Sequence, residues 1–306
     1  MVHWDHTVDF LIVGSGSGAM TAALTAYDKG AKPLLIEKSD RYGGSSAMSG
    51  GGLWVPQNHL MEGVGITDNP EEAWAYLKGT TAGVVPEERL RAYLEHAPQM
   101  VKYLTDHTQV RFVSLPEYAD YYPNVPGSRP GGRCIEPASF HAGCLGHEFL
   151  NMREQNTQML IMDRIFMTVF EARTLLTHGP GWITLMMKLM ARYWFDQPWR
   201  LKSKRDRNLA MGNALIGMLR RSLMDRGIPI WLRTPAKELV VADGRVVGVV
   251  AEKDGRPLRI GASKGVLLAA GGFEGNQAMR EKYLPKPTKV EWSCANKHNT
   301  GDGINM

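Results

Sequence analysis

Two clusters of residues have the types and spacing that chemistry needs. Near the N-terminus stands Gly14-Ser15-Gly16-Ser17-Gly18-Ala19, and Glu37 follows 23 positions after Gly14. In mid-chain Tyr118, Tyr121 and Tyr122 fall within five residues, just ahead of Pro123. Glycines of the first kind let a main chain come close to phosphates. Phenols of the second kind can exchange protons with a substrate or donate a hydrogen bond to a carbonyl oxygen.

The glycines do this only if flanking elements aim them. The apolar run 8–13 predicts a buried strand, an Ala-rich helix follows to about Lys29, and Pro33-Leu34-Leu35-Ile36 predicts a second strand ending at Glu37. In that setting Gly14 makes the tight turn and Gly16 lets the backbone approach a pyrophosphate. Ala19 stands where a small residue lets helix and strand pack closely. Ser17 and Gly18 open the helix, whose free N–H groups and dipole favour an anion. Glu37 can accept hydrogen bonds from both hydroxyls of an adenosine ribose, and it would repel a 2′-phosphate. A chance glycine cluster is the alternative, but strand, turn, helix, strand and acid in order point to a dinucleotide site.

After Glu37-Lys38 come Gly43-Gly44-Ser45-Ser46 and Ser49-Gly50-Gly51-Gly52. A flexible surface loop is the plain reading. Directly after the ribose-binding acid, such a loop suits an extended cofactor, with amides and hydroxyls along a pyrophosphate and ribityl chain and bare backbone beside a flat ring. The pattern resembles FAD-dependent enzymes of the fumarate reductase and succinate dehydrogenase flavoprotein superfamily. Further along, Asp243-Gly244 and Asp254-Gly255 mark two hairpins between strands at 238–242, 245–253 and 257–260. A buried strand at 266–270 runs into Ala269-Ala270-Gly271-Gly272-Phe273, and Asn299-Thr300-Gly301-Asp302-Gly303 ends the matching motifs. The resemblance implies that Lys38, Ala236, Ala269, Ala270, Gly271, Asn276 and Asp302 join the glycines and serines around FAD, with the backbone of Ala236 facing the adenine.

Three stretches resemble 3-ketosteroid Δ1-dehydrogenases and their Δ4-dehydrogenase relatives within that superfamily. They are Gly52-Leu53-Trp54-Val55-Pro56-Gln57-Asn58, the segment from Tyr118 to Pro123 with Gly132-Arg133, and Met211-Gly212-Asn213-Ala214-Leu215 with Gly271 to Asn276. The implied reaction removes two hydrogens from adjacent carbons of a 3-keto steroid, a proton to a tyrosinate and a hydride to flavin N5. Tyr121 matches the tyrosine that assists the base, Tyr122 replaces it if the register is off by one, and Tyr118 becomes an aromatic wall. The proton is acidic only where donors stabilise the forming enolate. A reductase of fumarate or another α,β-unsaturated acid is the alternative, and it needs arginines where a steroid needs tyrosines and apolar walls. A non-catalytic FAD-binding protein is a third reading.

The fold class implied is α/β: a Rossmann-like FAD-binding domain over 1–274, with a helical and loop insertion at about 60–226 and a small antiparallel β excursion. Residues 275–306 then begin a substrate domain whose body, with a returning FAD-binding segment, is expected beyond residue 306, so the chain reads as C-terminally truncated. Asn69-Pro70 and Pro86-Glu87 predict helix starts, 108–150 is loop-rich, 151–226 reads as mostly helical with breaks at Gly179-Pro180-Gly181 and Pro198, and 228–232 reads as a strand.

With 36 Lys+Arg, 31 Asp+Glu and 43% apolar residues, intrinsic disorder is excluded. A net charge of +5 does not call for nucleic acid. Three cysteines without a CxxC argue against a disulfide framework and for a reducing cytoplasm. Cys134, His141, Cys144 and His147 do not have zinc spacing, so no metal is expected. Tyr42 stands where a covalently attaching histidine would precede the glycine–serine loop, and His6 lacks motif support, so FAD is expected to be non-covalent. No run is long enough to span a bilayer. Residues 182–207 interleave Trp182, Tyr193, Trp194 and Trp199 with Arg192, Arg200, Lys202, Lys204, Arg205 and Arg207. Two readings stay open: a solvated basic face beside packed aromatics, the commoner use of such residues, or a peripheral contact with the inner face of a membrane.

Overall fold

The computed structural model describes residues 3–306; Met1 and Val2, where the expected FAD-binding domain starts, lie outside the described residues. The chain opens with β1 (His6–Val13), α1 (Ser17–Asp28) and β2 (Pro33–Ile36), then α2 (Gly44–Met48) and β3 (Leu53–Trp54). The insertion follows with α3 (Pro70–Thr81), α4 (Glu87–His107), β4 (Phe112–Ser114), β5 (Cys134–Pro137), β6 (Phe140–His141), α5 (Val169–Leu176), α6 (Trp182–Trp194), α7 (Gln197–Arg200) and β7 (Asn208–Leu209). The chain closes with α8 (Met211–Asp225), β8 (Ile230–Trp231), β9 (Ala236–Ala242), β10 (Arg245–Lys253), β11 (Arg256–Leu268), α9 (Gln277–Tyr283) and α10 (Asp302–Asn305).

The central sheet has the order β8-β2-β1-β11-β10-β9, parallel from β8 to β11 and antiparallel beyond. The middle strands are apolar throughout because both faces are covered. Ile12 and Leu35 join the larger core with α1, α4 and α8, while Leu11, Val13, Leu34 and Ile36 point the other way, toward Val249, Ala251 and Ile260. This is the two-residue alternation of a strand, doubled. Helix α8 is buried from Met211 to Arg220, and it forms the axle on which the glycine–serine loop rests. Asn69 caps α3 as expected, its side chain accepting from the N–H of Glu71 and Glu72.

Three local expectations change, and one break is kept. The strands expected at 257–260 and 266–270 are one strand of 13 residues, β11, which pairs with β10 along its first half and with β1 along most of its length. Gly261 to Gly265 reads as a connection, yet Gly261 pairs on both edges and Ala262 and Gly265 pair with β1 across a bulge, so the segment stays extended and the antiparallel excursion is fused to the parallel sheet. The stretch 151–168 holds no α-helix: Asn156 accepts from the Gln158 N–H and caps a single 3-10 turn at Thr157–Met159, and Met162 and Asp163 then adopt positive φ, which a helix does not allow. The interruption expected around Pro198 is present: α6 ends at Trp194, and Pro198 sits in the first turn of the short α7 that follows. The strand expected at 228–232 is only Ile230–Trp231.

Candidate functional site

The N-terminal turn is built from backbone proximity. Gly14 has φ +115°, and a Cβ there would lie 2.2 Å from the Ala269 carbonyl oxygen. The Gly14 N–H donates to the Ile36 carbonyl at 2.8 Å, and the Ala269 N–H to that of Val13 at 2.8 Å. Three strand ends therefore converge on one point. Helix α1 begins there without a side-chain cap from Gly16; the Ser17 N–H donates to Ser46 Oγ at 3.1 Å, which leaves the N–H groups of Gly18 and Ala19 for a ligand. A cleft of about 200 Å³ opens over this turn.

The cleft is lined by Gly14, Gly16, Ser17, Gly18, Ala19, Glu37, Lys38, Gly44, Ser45 and Ser46 from the first half of the chain. Ala236, Ala269, Ala270, Gly271 and Asp302 come from the second half, so fifteen sequence-derived positions meet in one place. The others have different surroundings. Gly43 caps α2 and donates its N–H to Ser15 Oγ at 3.1 Å. Asn276 caps α9 through its oxygen and donates to the Thr300 carbonyl at 3.0 Å, so it shapes the 299–303 loop from behind. Ser49, Gly50, Gly51 and Gly52 turn away to line the tyrosine pocket.

Side chains already hold the cleft's charged groups. Glu37 accepts from Ser15 Oγ at 2.5 Å and from the Ser39 N–H at 3.0 Å. Its carboxylate keeps lone pairs free for further donors. Lys38 Nζ reaches Thr300 Oγ1 and Asp302 Oδ2, each at 2.6 Å, and Thr300 Oγ1 donates to Asp302 Oδ1 at 2.7 Å. Burial would raise the Asp302 pKa, but the bonds from Lys38 and Thr300 outweigh it and hold the carboxyl below its ordinary value. Asn299 Nδ2 donates to Ser45 Oγ at 3.0 Å and to Glu274 at 3.1 Å. Ser15 and Asn299 are the residues that motif reading left out. Ser15 occupies the variable position of the glycine motif, and Asn299 opens a motif in which only the aspartate was singled out.

The two halves of the glycine–serine loop are held apart by α8. A Cβ on Gly212 would lie 2.0 Å from the Ser46 carbonyl oxygen. The Gly212 N–H donates to the Ser49 carbonyl at 3.0 Å, and the buried Asn213 amide donates to that of Ala47 at 2.6 Å. Gly44 to Ser46 thus face the dinucleotide cleft, while Ser49 to Gly52 face a second cavity of about 540 Å³.

That second cavity carries Tyr118, Tyr121 and Tyr122, with Trp54, Tyr76 and Leu115. The Tyr118 and Tyr121 hydroxyls are 3.2 Å apart. The hydrogen bond with Tyr121, helped by burial, pushes the Tyr118 pKa up to about 12. Tyr118 therefore stays protonated, and either hydroxyl can donate to the other. Tyr121 is 76% exposed, with its ring at the mouth of the cavity. Tyr122 donates its backbone N–H to the Tyr76 hydroxyl at 3.2 Å. Burial pushes the Cys134 thiol on the same wall up to about 11, which keeps it an unreactive thiol. No lysine or arginine lines this cavity.

The tyrosine loop hangs on a buried ion network. Arg133 is fully buried and pairs with Asp68 and Asp120, each at 2.9 Å. Asp120, between the tyrosines, also accepts from Trp54 Nε1 at 2.7 Å and from the Arg129 N–H at 3.0 Å. A further apolar concavity of about 700 Å³ lies among α1, α4 and α8 and contains no acid–base group except Lys29.

Other candidate groups lie elsewhere. His141 Nδ1 accepts from the Gly143 N–H, and no three His, Cys, Asp or Glu side chains among the described residues gather as metal ligands. Tyr42 is fully buried, with its hydroxyl donating to the Glu148 carbonyl at 2.8 Å. His6 packs at a tilt against Trp231, with ring centroids 4.8 Å apart, and does not line the cleft.

The family described as FAD binding domain matches residues 9–306. The chain is 40% identical over 284 residues to a 3-oxosteroid 1-dehydrogenase of Comamonas testosteroni, covering 92% of this chain and 49% of that protein. It is 38% identical over 301 residues to the 3-oxosteroid 1-dehydrogenase of Mycobacterium tuberculosis, covering 97% of this chain and 53% of that one. A crystal structure of 3-ketosteroid Δ1-dehydrogenase from Sterolibacterium denitrificans, in complex with 1,4-androstadiene-3,17-dione, superposes with a TM-score of 0.93 at 48% identity. That match covers 98% of this chain and 54% of the other. The chain thus spans about half the length of the relatives it matches.

Proposed function

The chain belongs to the FAD binding domain family, and from that membership we propose that it is the FAD-holding part of a 3-ketosteroid Δ1-dehydrogenase that binds its flavin non-covalently. The single observation carrying the steroid reading is the loop 44–52, whose first half lines the dinucleotide cleft and whose second half lines the tyrosine cavity. A cofactor lying along that loop would meet a substrate in the cavity beyond it. The capless start of α1 and the bare Gly14 turn fit a pyrophosphate, and Glu37 fits a ribose. The buried Tyr42 and His6, whose ring is packed against Trp231, support a non-covalent flavin, since neither side chain lines the cleft. FAD supplies the hydride acceptor in this chemistry.

The chain's own part is proton handling and shape. Tyr118 keeps its proton and shares a hydrogen bond with Tyr121, whose hydroxyl in turn can hand hydrogen-bonding power to a base or to the carbon acid's enolate. Trp54, Tyr76 and Leu115 supply flat and apolar walls for a ring system, and the cavity volume falls in the range of small-molecule sites. A dicarboxylate would need cations, and the walls this chain supplies offer none. This disfavours the unsaturated-acid reductase. We assign residues 1–274 to FAD and take 275–306 as the entry to a substrate domain. The substrate is sparingly soluble, which favours a cytoplasmic enzyme working near the inner face of a membrane.

The test uses protein expressed from the whole reading frame. Purified protein is given a 3-keto-4-ene steroid and an artificial electron acceptor, and flavin bleaching and product mass are followed. Loss of two hydrogens, slowed on the order of 10²-fold by Tyr121→Phe, is the expected result. Bound flavin that steroid cannot reduce, but that fumarate reoxidises, overturns the steroid reading. Protein that takes up no flavin overturns both.

A further inference from the structure

Outside both cavities, one region departs from the rest of the surface. From Val169 to Arg207 the chain has eight Lys and Arg against three Asp and Glu, which equals the whole net charge of +5. All three acids are engaged. Glu171 closes the capping box of α5 with Thr168, Asp196 pairs with Arg207, and buried Asp206 accepts from the N–H groups of Phe166 and Asn208. The arginines of the segment are largely tied as well: Arg192 donates to the Phe166 carbonyl, Arg200 and Arg205 to other carbonyls, and Arg173 pairs with Glu117. Lys188, Lys202 and Lys204 are exposed and have no carboxylate partner among the described residues.

The same segment exposes apolar side chains. Helices α5 and α6 bury one face on a small cluster of their own, Ile165, Leu175, Leu189 and Tyr193, separate from the main core. The opposite face of α6 carries Ile183, Met187 and Trp194, spaced four and seven apart and therefore on one stripe, and all three are exposed. Phe195 and Leu201 follow at 81% and 87% exposure. The aromatic residues singled out by sequence are mostly structural: Tyr193 is buried, and Trp199 donates its indole N–H to the Arg205 carbonyl. The outward stripe is chiefly aliphatic, beside unpaired lysines.

We propose that this face, the outer side of α6 with the loop after α7, docks on an anionic phospholipid bilayer. The charge decides among occupants. A second copy would set unpaired lysines against lysines, and a water-facing role leaves the apolar stripe unexplained. Anionic headgroups match the lysines while the acyl boundary takes Ile183, Met187 and Phe195, with Trp194 at the interface where tryptophan is favoured. Among the described residues no helix is long and apolar enough to cross a membrane, so the contact is interfacial. The inference stands on this surface alone, independent of the chemistry proposed at the tyrosines.

The experiment is vesicle co-sedimentation with phosphatidylcholine alone and with phosphatidylcholine containing one-third phosphatidylglycerol, at low and high salt. The 306-residue chain and the product of the whole reading frame are both used. Binding to the anionic vesicles is expected, weakening as salt rises. Each of Lys188→Gln, Lys202→Gln and Lys204→Gln should weaken it about fivefold. The triple variant Ile183→Ser, Met187→Ser, Phe195→Ser should abolish it without changing the melting temperature. No binding to anionic vesicles, or binding indifferent to these variants, overturns the proposal. So does a lipid-free dimer that the serine variant dissociates. Binding by the 306-residue chain but not by the longer product would mean that further chain covers the stripe, and this too overturns it.

Discussion

The dinucleotide cleft and the tyrosine pocket share the loop 44–52 but are assembled in opposite ways. The cleft is made of main chain. Its glycines lie where three strand ends converge, and a Cβ at Gly14 would sit inside the Ala269 carbonyl. The pocket is made of side chains on a loop with little regular structure. That loop is kept in place by a guanidinium buried between Asp68 and Asp120, with Asp120 also held by Trp54. Backbone-built sites are set by turn geometry and tolerate no added atoms. Sites built on a charge network tolerate shape changes but not the loss of a partner. The two should therefore fail differently.

The largest effect is expected in the cleft. Gly14→Val places side-chain atoms within the Ala269 carbonyl at a φ that valine avoids. A loss of more than about 4 kcal/mol is expected, with no flavin retained on purification. Chemical unfolding and the flavin absorbance of the purified protein measure the two together. A stable, yellow Gly14→Val protein would show that the strand ends can part, and that the cleft is less rigid than its contacts indicate.

In the pocket, Arg133→Met leaves Asp68 and Asp120 buried without their guanidinium, although Arg129 still reaches Asp68. Removing one partner of such a network costs about 3–5 kcal/mol. The comparison sharpens if the protein still takes up flavin when stabilised by cold or osmolyte, because the damage then stays with the tyrosine loop. Equal loss of flavin affinity would join the two regions into one cooperative unit.

These differences also explain what the sequence made legible. The glycine turn, β2, the capped start of α3 and both Asp-Gly hairpins depend on contacts a few residues apart, and Asp243 and Asp254 adopt the positive φ that such turns require. The cleft's positions from Gly14 to Glu37 followed from the same local spacing, whereas Lys38, Ala236, Ala269, Ala270, Gly271 and Asp302 came from the family resemblance alone. Arg133 appeared only as part of a motif, since nothing local announces that it pairs with Asp68 from 65 positions away. The continuity of β11 was hidden for the same reason: its glycines and Lys264 suggest a loop, and only the pairing of Gly261 with β10 and of both glycines with β1 carries the strand through. The exposed stripe on α6 was missed because tryptophans drew attention, and burial then reversed which residues faced outward.

A smaller effect separates the two hydroxyls within the pocket. Tyr121→Phe is expected to lower turnover on the order of 10²-fold, with Tyr118→Phe less damaging because its hydroxyl acts through Tyr121. The pH dependence carries the distinction. Tyr118 titrates at about 12, above the ordinary tyrosine value of 10.0, so its bond to Tyr121 stabilises the fold below pH 10 and is lost as pH rises toward 12. In Tyr121→Phe the Tyr118 phenolate should appear at lower pH in the ultraviolet spectrum. An unchanged phenolate titration would mean that burial alone, and not the Tyr121 hydroxyl, holds the proton.

The smallest effect lies at the seam where the C-terminal loop meets the cleft. Lys38 bonds Thr300 and Asp302, so this one side chain fastens residues 300–302 over the first half of the site. The Asp302 pKa is depressed below 3.8, chiefly by the bonds from Lys38 and Thr300, against burial acting in the opposite sense. A depressed carboxyl contributes stability that is present above the ordinary pKa and lost as pH falls through the lower folded value, so acid below about pH 4 should loosen this loop first. Both side chains are partly exposed, and solvent screening keeps the stability change small, within about 1 kcal/mol. Asp302→Asn keeps a hydrogen-bonding side chain while removing its charge. It should leave the melting temperature nearly unchanged at neutral pH, abolish the acid-specific loosening seen by amide hydrogen exchange at 299–303, and weaken flavin binding only a few-fold. If the variant instead lost flavin as completely as Gly14→Val, the carboxylate would be part of the cofactor's own grip, and the cleft could no longer be described as a site made of main chain.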